Sequence, residues 1–241
     1  STSNLVSRYN LETNANDSQG SNNGTATNVT FTDDAYKLGT GAYSFDGTDD
    51  YVENSSTNLF GSSWDKFSIV GWVKPDDATT AEYILGTTDR DGNTNNFNFI
   101  QQRSDGKFQG TIGDNSTQVT MNSTTTYSAG TWYHLALVYD GSASTKCKLY
   151  VNGSLEASST SGATSYSVGT KLSIGRQGTS GQTFFDGAVD DVAYFKRVLT
   201  ATEISDLVNS VESTPTVTTL DSTNGTTDWA EVGSRYTIDT S

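Results

Sequence analysis

The clearest pattern along the chain lies between residues 130 and 158. Residues 132–139 (Trp-Tyr-His-Leu-Ala-Leu-Val-Tyr) are apolar at almost every position. A strand covered on one side alternates apolar and polar, so this segment is expected to be a strand buried on both faces. Residues 146–151 do alternate, with Cys147, Leu149 and Val151 on one side and Lys146, Lys148 and Tyr150 on the other. Asn152-Gly153 then supplies the two positive-φ positions of a type I′ hairpin turn. A strict two-residue loop sets Leu149 opposite Glu156, a poor match, so a bulge or a short return strand is expected.

The rest of the chain repeats this alternation in short pieces. Leu5, Ser7, Tyr9 and Leu11 alternate with Val6, Arg8 and Asn10, which reads as a first strand. Residues 14–27 read as a polar loop containing Asn23-Gly24. Further strands are expected at 42–45, 51–53, 67–74, 83–86, 97–102, 108–112, 118–121, 171–175 and 188–195. Pro75 stops the third of these, since proline cannot donate to a ladder. Strands at this spacing predict an all-β fold, an antiparallel β-sandwich. One short helix is expected near 201–209: Thr200-Ala-Thr-Glu203 is a capping box, and Ile204, Leu207 and Val208 share a face. The composition shifts after Val211. The expected organisation is a sandwich over 1–211 and an extension over 212–241. That extension reads as an added hairpin or as an attachment segment anchored by Trp229 and Tyr236.

Composition narrows the chemistry. Only 17% of residues are charged, yet the net charge is −14, which disfavours nucleic acid and anionic membranes. Cys147 stands alone, so no disulfide within the chain is possible. No apolar run reaches the ~18 residues of a membrane-spanning helix, and membrane insertion is not expected. The opening Ser-Thr-Ser-Asn-Leu-Val shows no signal-peptide pattern.

Four ordered blocks carry a family resemblance: Tyr43-Ser-Phe-Asp-Gly-Thr-Asp-Asp-Tyr-Val-Glu53; Phe67-Ser-Ile-Val-Gly-Trp-Val-Lys-Pro75; the 130–158 hairpin; and Phe185-Asp-Gly-Ala-Val-Asp-Asp-Val-Ala-Tyr-Phe195 with Leu199-Thr-Ala-Thr-Glu-Ile204. Together they resemble the laminin-G-like jelly-roll domains of the concanavalin A-like lectin/glucanase superfamily. The resemblance implies a jelly roll. It does not choose among enzymes, lectins and spacers, because one fold hosts many functions.

The resemblance also implies a structural calcium tying the first strand, an early loop and the closing strand. By motif it points to Asp190, to the Asp46-Gly47 turn, and to Glu12 or its neighbour Asn10. The competing expectation is that Asp46 and Asp190 only cap turns. The loop 89–95 (Asp-Arg-Asp-Gly-Asn-Thr-Asn) has oxygen side chains at alternate positions, but its glycine falls two residues early for an EF-hand, and it reads as an ordinary turn.

Sugar binding calls for an aromatic platform beside amides and carboxylates. The expected platforms are Tyr83, Phe97 and Phe99, with Tyr127, Tyr166 and Phe184 also considered; the expected polar partners are Asn96, Asn98, Gln101, Gln102 and Arg103. Trp72 and Trp132 fall in strand motifs and are expected to be structural. Catalysis is not expected. His134, the one histidine, lies in the most apolar strand, where a packing role outweighs a triad role. The Glu-x-Asp-x-Glu strand block of the glucanase relatives is missing.

The expected function is therefore a non-catalytic recognition or adhesion module on an extracellular or virion surface. Its expected partner is a glycan or cell-surface polysaccharide. The alternative is a structural decoration or fibre protein of a phage particle, docked to a capsid or tail protein through 212–241. A glycoside hydrolase ranks third.

Overall fold

The computed structural model describes residues 4–33, 36–54, 64–88, 97–113, 117–166, 171–177 and 183–210. In chain order its strands are β1 (Leu5–Tyr9), β2 (Gly24–Thr27), β3 (Thr30–Thr32), β4 (Ala42–Asp46), β5 (Tyr51–Asn54), β6 (Lys66–Pro75), β7 (Glu82–Thr88) and β8 (Phe97–Gln102). There follow β9 (Phe108–Gly113), β10 (Gln118–Asn122), β11 (Tyr133–Asp140), β12 (Cys147–Val151), β13 (Ser154–Ser159), β14 (Lys171–Ile174) and β15 (Asp186–Phe195), then helix α1 (Ala201–Asn209). They form two antiparallel sheets. One runs β13-β12-β11-β6-β15-β4-β3, with β1 also paired to β15; the other is seven-stranded, β10-β9-β8-β7-β14-β5-β2. The inner faces meet in one apolar core that includes Phe45, Ile69, Leu85, Ile100, Ile112, Leu137, Leu149 and Val189.

The double burial expected of residues 132–139 has a clear cause. Leu135, Leu137 and Tyr139 of β11 face the core between the sheets. Ala136 and Val138 face outward and are covered by α1 through Ile204 and Leu207, together with Val70, Tyr150, Ala193 and Phe195. Burying each of those two helix side chains contributes about 2 kcal/mol. The helix begins at the expected capping box: Thr200 Oγ1 accepts the Glu203 amide at 3.1 Å while the Glu203 carboxylate accepts the Thr200 amide at 2.9 Å.

The β12–β13 hairpin turns on Asn152 and Gly153, at φ 49° and 79°. The expected irregularity is a shift between Leu149 and Tyr150, which places Leu149 opposite Ala157 and leaves Glu156 outside the regular pairing. Glu156 then accepts the amides of Thr124 and Thr125 at 3.0 and 3.1 Å, joining β13 to the turn after β10. Two further strands, β2 and β3, each form an edge of their sheet; β2 lies within the segment expected to be a polar loop, and β3 follows it where no strand was expected. Their Thr- and Gly-rich segments are half-exposed and carry no alternation to betray them.

Candidate functional site

The outer face of the seven-stranded sheet follows from strand parity. Leu85, Ile100 and Ile112 point into the core, so residues of opposite parity point out. Register sets Tyr83 opposite Gln101, Gln101 opposite Gln109, and Gln109 opposite Asn122. The three amides form a ladder: Gln101 Nε2 donates to Gln109 Oε1 at 2.8 Å, and Gln109 Nε2 donates to Asn122 Oδ1 at 2.6 Å. Asn122 is exposed and Gln101 half-buried, so the ladder opens to solvent at both ends. Such a row offers alternating donors and acceptors along one line, the arrangement that polyhydroxyl ligands match.

Across the same sheet, Val52 points inward and puts Tyr51 and Glu53 outward. The Arg176 guanidinium lies 3.2 Å from the Tyr51 ring centroid and 3.3 Å from Glu53 Oε2. The face therefore carries a neutral amide half and a charge-paired half.

Between these halves the expected sugar platforms are covered. Tyr83 is 0% and Phe99 6% exposed, and their rings pack on each other at 5.4 Å. Neither presents a ring face to solvent, which corrects the expectation that they stack on a sugar. Asn98 has inward parity and is buried; its Nδ2 donates to Thr87 Oγ1 at 3.2 Å, so it is a core amide rather than a surface partner. Arg103 makes a two-point pair with Asp105 in the next turn, at 3.1 and 3.3 Å. Asn96 and the side chain of Phe97 lie outside the described residues, as do Trp229 and Tyr236. Gln101 is thus the member of the expected set that the structure places in the ladder. Gln109 and Asn122 were missed, although their alternation with Phe108, Val119 and Met121 was legible.

The expected metal residues fall at three separate places. Asp46, Asp49 and Asp50 bring carboxylate oxygens within 4.8 Å of one another. They sit on a tight turn: Asp46 Oδ1 accepts the Thr48 amide at 2.8 Å, Asp50 Oδ2 accepts the Asp46 amide at 3.0 Å, and Gly47 holds φ 71°. Asp186 lies opposite Asp46 across β4 and β15. Its amide donates to Glu82 Oε2 at 3.0 Å. Burial first, then the like charges of Asp186 and Asp77, push Glu82 up to about 7. Oxygen-only donors of this kind suit a hard cation such as Ca²⁺.

Asp190 is elsewhere. It lies opposite Trp72, four residues and about 13 Å along the strand from Asp186, and its Oδ2 accepts the amides of Lys37 and Leu38 at 3.0 and 2.7 Å. Glu12 lines a cavity at the end of β1.

His134 packs edge-on against Trp72, with ring centroids 5.2 Å apart, and is 1% exposed. Neither of its ring nitrogens has a hydrogen-bond partner among the described residues. Burial lowers its pKa to about 3. A neutral, enclosed imidazole is the packed residue that its apolar strand suggests, without the hydrogen-bonded neighbours a proton shuttle uses.

No curated protein matches the chain. Solved structures share its fold. Domain 4 of AbnA, an extracellular arabinanase from Geobacillus stearothermophilus solved with arabinotriose, is 22% identical over 85% of this chain and 98% of its own, with a TM-score of 0.69. The binding domain of botulinum neurotoxin serotype G is 18% identical with a TM-score of 0.65; 85% of this chain aligns with half of that one. A pentraxin from Limulus polyphemus is 20% identical over 68% of this chain and 80% of its own, with a TM-score of 0.53. At these identities the likeness concerns the fold. The family model of the concanavalin A-like lectin/glucanases superfamily matches residues 46–205, and with this sandwich behind the match the chain belongs to that superfamily.

Proposed function

We propose that the chain is a non-catalytic glycan-binding module that works on an extracellular surface, and that the Gln101–Gln109–Asn122 ladder is its reading surface. The ladder is the observation that carries this reading. Gln101 and Asn122 present pre-oriented donors and acceptors at the two open ends of the ladder, and the buried Gln109 between them fixes both through 2.8 and 2.6 Å bonds. Pre-orientation lowers the ordering cost of binding. The arabinotriose bound to domain 4 of AbnA supports a carbohydrate as the kind of partner. Calcium, in this reading, is a structural ion held by Asp46, Asp49 and Asp50, away from the ladder. Display on a virion through 212–241 is the alternative setting for the same module.

The test is affinity electrophoresis through gels cast with a panel of neutral plant and bacterial polysaccharides. The wild-type chain is retarded by at least one of them, and Gln109→Ala abolishes the retardation while leaving the melting temperature within a few degrees. Unretarded migration in every gel contradicts the reading. Retardation unchanged by Gln109→Ala moves the site off the ladder. A truncation ending at Val211 that loses a particle association shown by the full chain favours the virion setting.

A further inference from the structure

The loop that follows β1 divides its side chains between core and solvent. Leu11 and Ala15 are buried at 0% and 4%. Asp17 is buried beside them, and its carboxylate accepts the amides of Arg8, Gln19 and Asn22 at 3.0, 3.0 and 3.2 Å. The Gly24 amide donates to the Ala15 carbonyl at 2.8 Å. Asn10, Glu12, Thr13, Asn14, Asn16 and Ser18 face the other way and line an open cavity of about 180 Å³. Bonds within the loop shape this cup: Asn14 Oδ1 accepts the Asn16 amide at 2.8 Å, and Ser18 Oγ donates to the Arg8 carbonyl at 3.2 Å.

Leu11 supplies a second observation. It holds φ 57°, the left-handed region that an L residue with a bulky side chain enters at a cost. Strain of this kind persists where the surroundings over-determine it, and such positions gather at ligand clamps. Here it keeps the leucine in the core while its neighbours Asn10 and Glu12 both line the cup.

We propose that this cup is a second saccharide site, which takes one uncharged sugar residue at the end of a glycan. At about 180 Å³ the cavity has room for several waters, the scale of a sugar ring and its hydroxyls rather than of a bare ion. Its amides and hydroxyls both donate and accept, as sugar hydroxyls do. The cup contains one carboxylate, Glu12. Calcium collects about 6–8 oxygens, several of them charged, so a cation matches this lining less well. Glu12 and the net charge of −14 disfavour acidic sugars. The site stands on the loop alone and is independent of the amide ladder.

The test is an NMR titration of the isotope-labelled full chain with glucose, galactose, mannose, arabinose and N-acetylglucosamine, into the tens of millimolar. At least one sugar is expected to give saturable shifts at the amides of residues 10–18. Asn16→Ala weakens that binding by about tenfold, equivalent to ~1.4 kcal/mol, and leaves any response at Gln101 and Gln109 unchanged. If Asn16→Ala alters the spectrum beyond the loop, Thr13→Val takes its place. No saturable shift at 10–18 with any of the sugars overturns the proposal. The same shifts produced by calcium chloride and not competed by sugar overturn it as well. A response at the ladder without one at the loop removes this site and leaves the first intact.

Discussion

Arg8 of β1 and Asp191 of β15 form a buried ion pair, with Arg8 Nε 2.8 Å from Asp191 Oδ1 and Nη2 3.2 Å from Oδ2. A sandwich has to fasten its first strand to its last, and here a two-point guanidinium–carboxylate pair does so. A bulge between Asp190 and Ala193, with Asp191 at φ 52°, gives two successive acids different partners. Asp190 accepts the amides of Lys37 and Leu38, and Asp191 holds Arg8. Asp191→Ala leaves a buried guanidinium without its carboxylate and costs about 3–5 kcal/mol in urea denaturation. The double variant Arg8→Met with Asp191→Leu regains most of that loss. Equal losses in the single and double variants contradict this account.

Acid sensitivity is expected from His134. Burial holds its folded pKa at about 3, below the 6.5 of an ordinary imidazole, so the neutral form is the one the fold accommodates. Its contribution is complete above pH 6.5 and is lost as the pH falls toward 3. By pH 4 the loss is about 3 kcal/mol at ~1.4 kcal/mol per pH unit. Chemical denaturation of the wild type and His134→Leu between pH 7 and pH 4 measures it. The gap between the two curves changes with pH if the assignment is right, and parallel curves refute it.

Glu82 has the opposite sign. Burial raises it from 4.5 to about 7, so its protonated form is favoured in the fold and stability is lost as the pH rises from 4.5 through 7. Glu82→Gln keeps an acceptor for the Asp186 amide and removes the charge. It stabilises the protein at pH 8 by about 1–2 kcal/mol, allowing for solvent screening, and has little effect at pH 4. A variant less stable than wild type at pH 8 contradicts this.

If Asp46, Asp49 and Asp50 hold calcium as proposed, its removal has a thermal signature. An ion at a hundredfold excess over its Kd adds about 2.7 kcal/mol. Removal by EDTA then lowers the melting temperature by several degrees, and Asp49→Asn abolishes the response. Asp49 suits this test because it is exposed. Identical melting curves with Ca²⁺ and with EDTA leave these carboxylates as a turn alone.

Much of this architecture could be read from residue order. The unbroken apolar run of β11, the Asn152-Gly153 turn, the Leu149 irregularity and the Thr200 capping box each have a local physical cause, and each lies where the sequence places it. The edge strands β2 and β3 have no such cause: their threonines are half-exposed, and pairing with β5 and β4 alone makes them strands. The site was legible in part. Parity identifies Gln101, Gln109 and Asn122 as outward residues once the core side of β8, β9 and β10 is known. The burial of Tyr83 and Phe99 depends on what covers an outward face, which alternation along one strand does not encode. The Asp46-Gly47 turn was legible as a candidate, and the gathering of Asp49 and Asp50 beside Asp46 follows from how that turn folds. The distance between Asp46 and Asp190 follows from the register of β15 on β4 and β6, which no local pattern states.

The most direct test of the central claim is a glycan array probed with the wild-type chain and with the double variant Gln109→Ala and Asn122→Ala. The account predicts that the wild type binds a narrow class of neutral glycans, that EDTA leaves this binding in place, and that the double variant loses it while remaining folded. Wild-type silence across the array, or a double variant that binds as well as the wild type, contradicts the claim that this sheet face reads glycans.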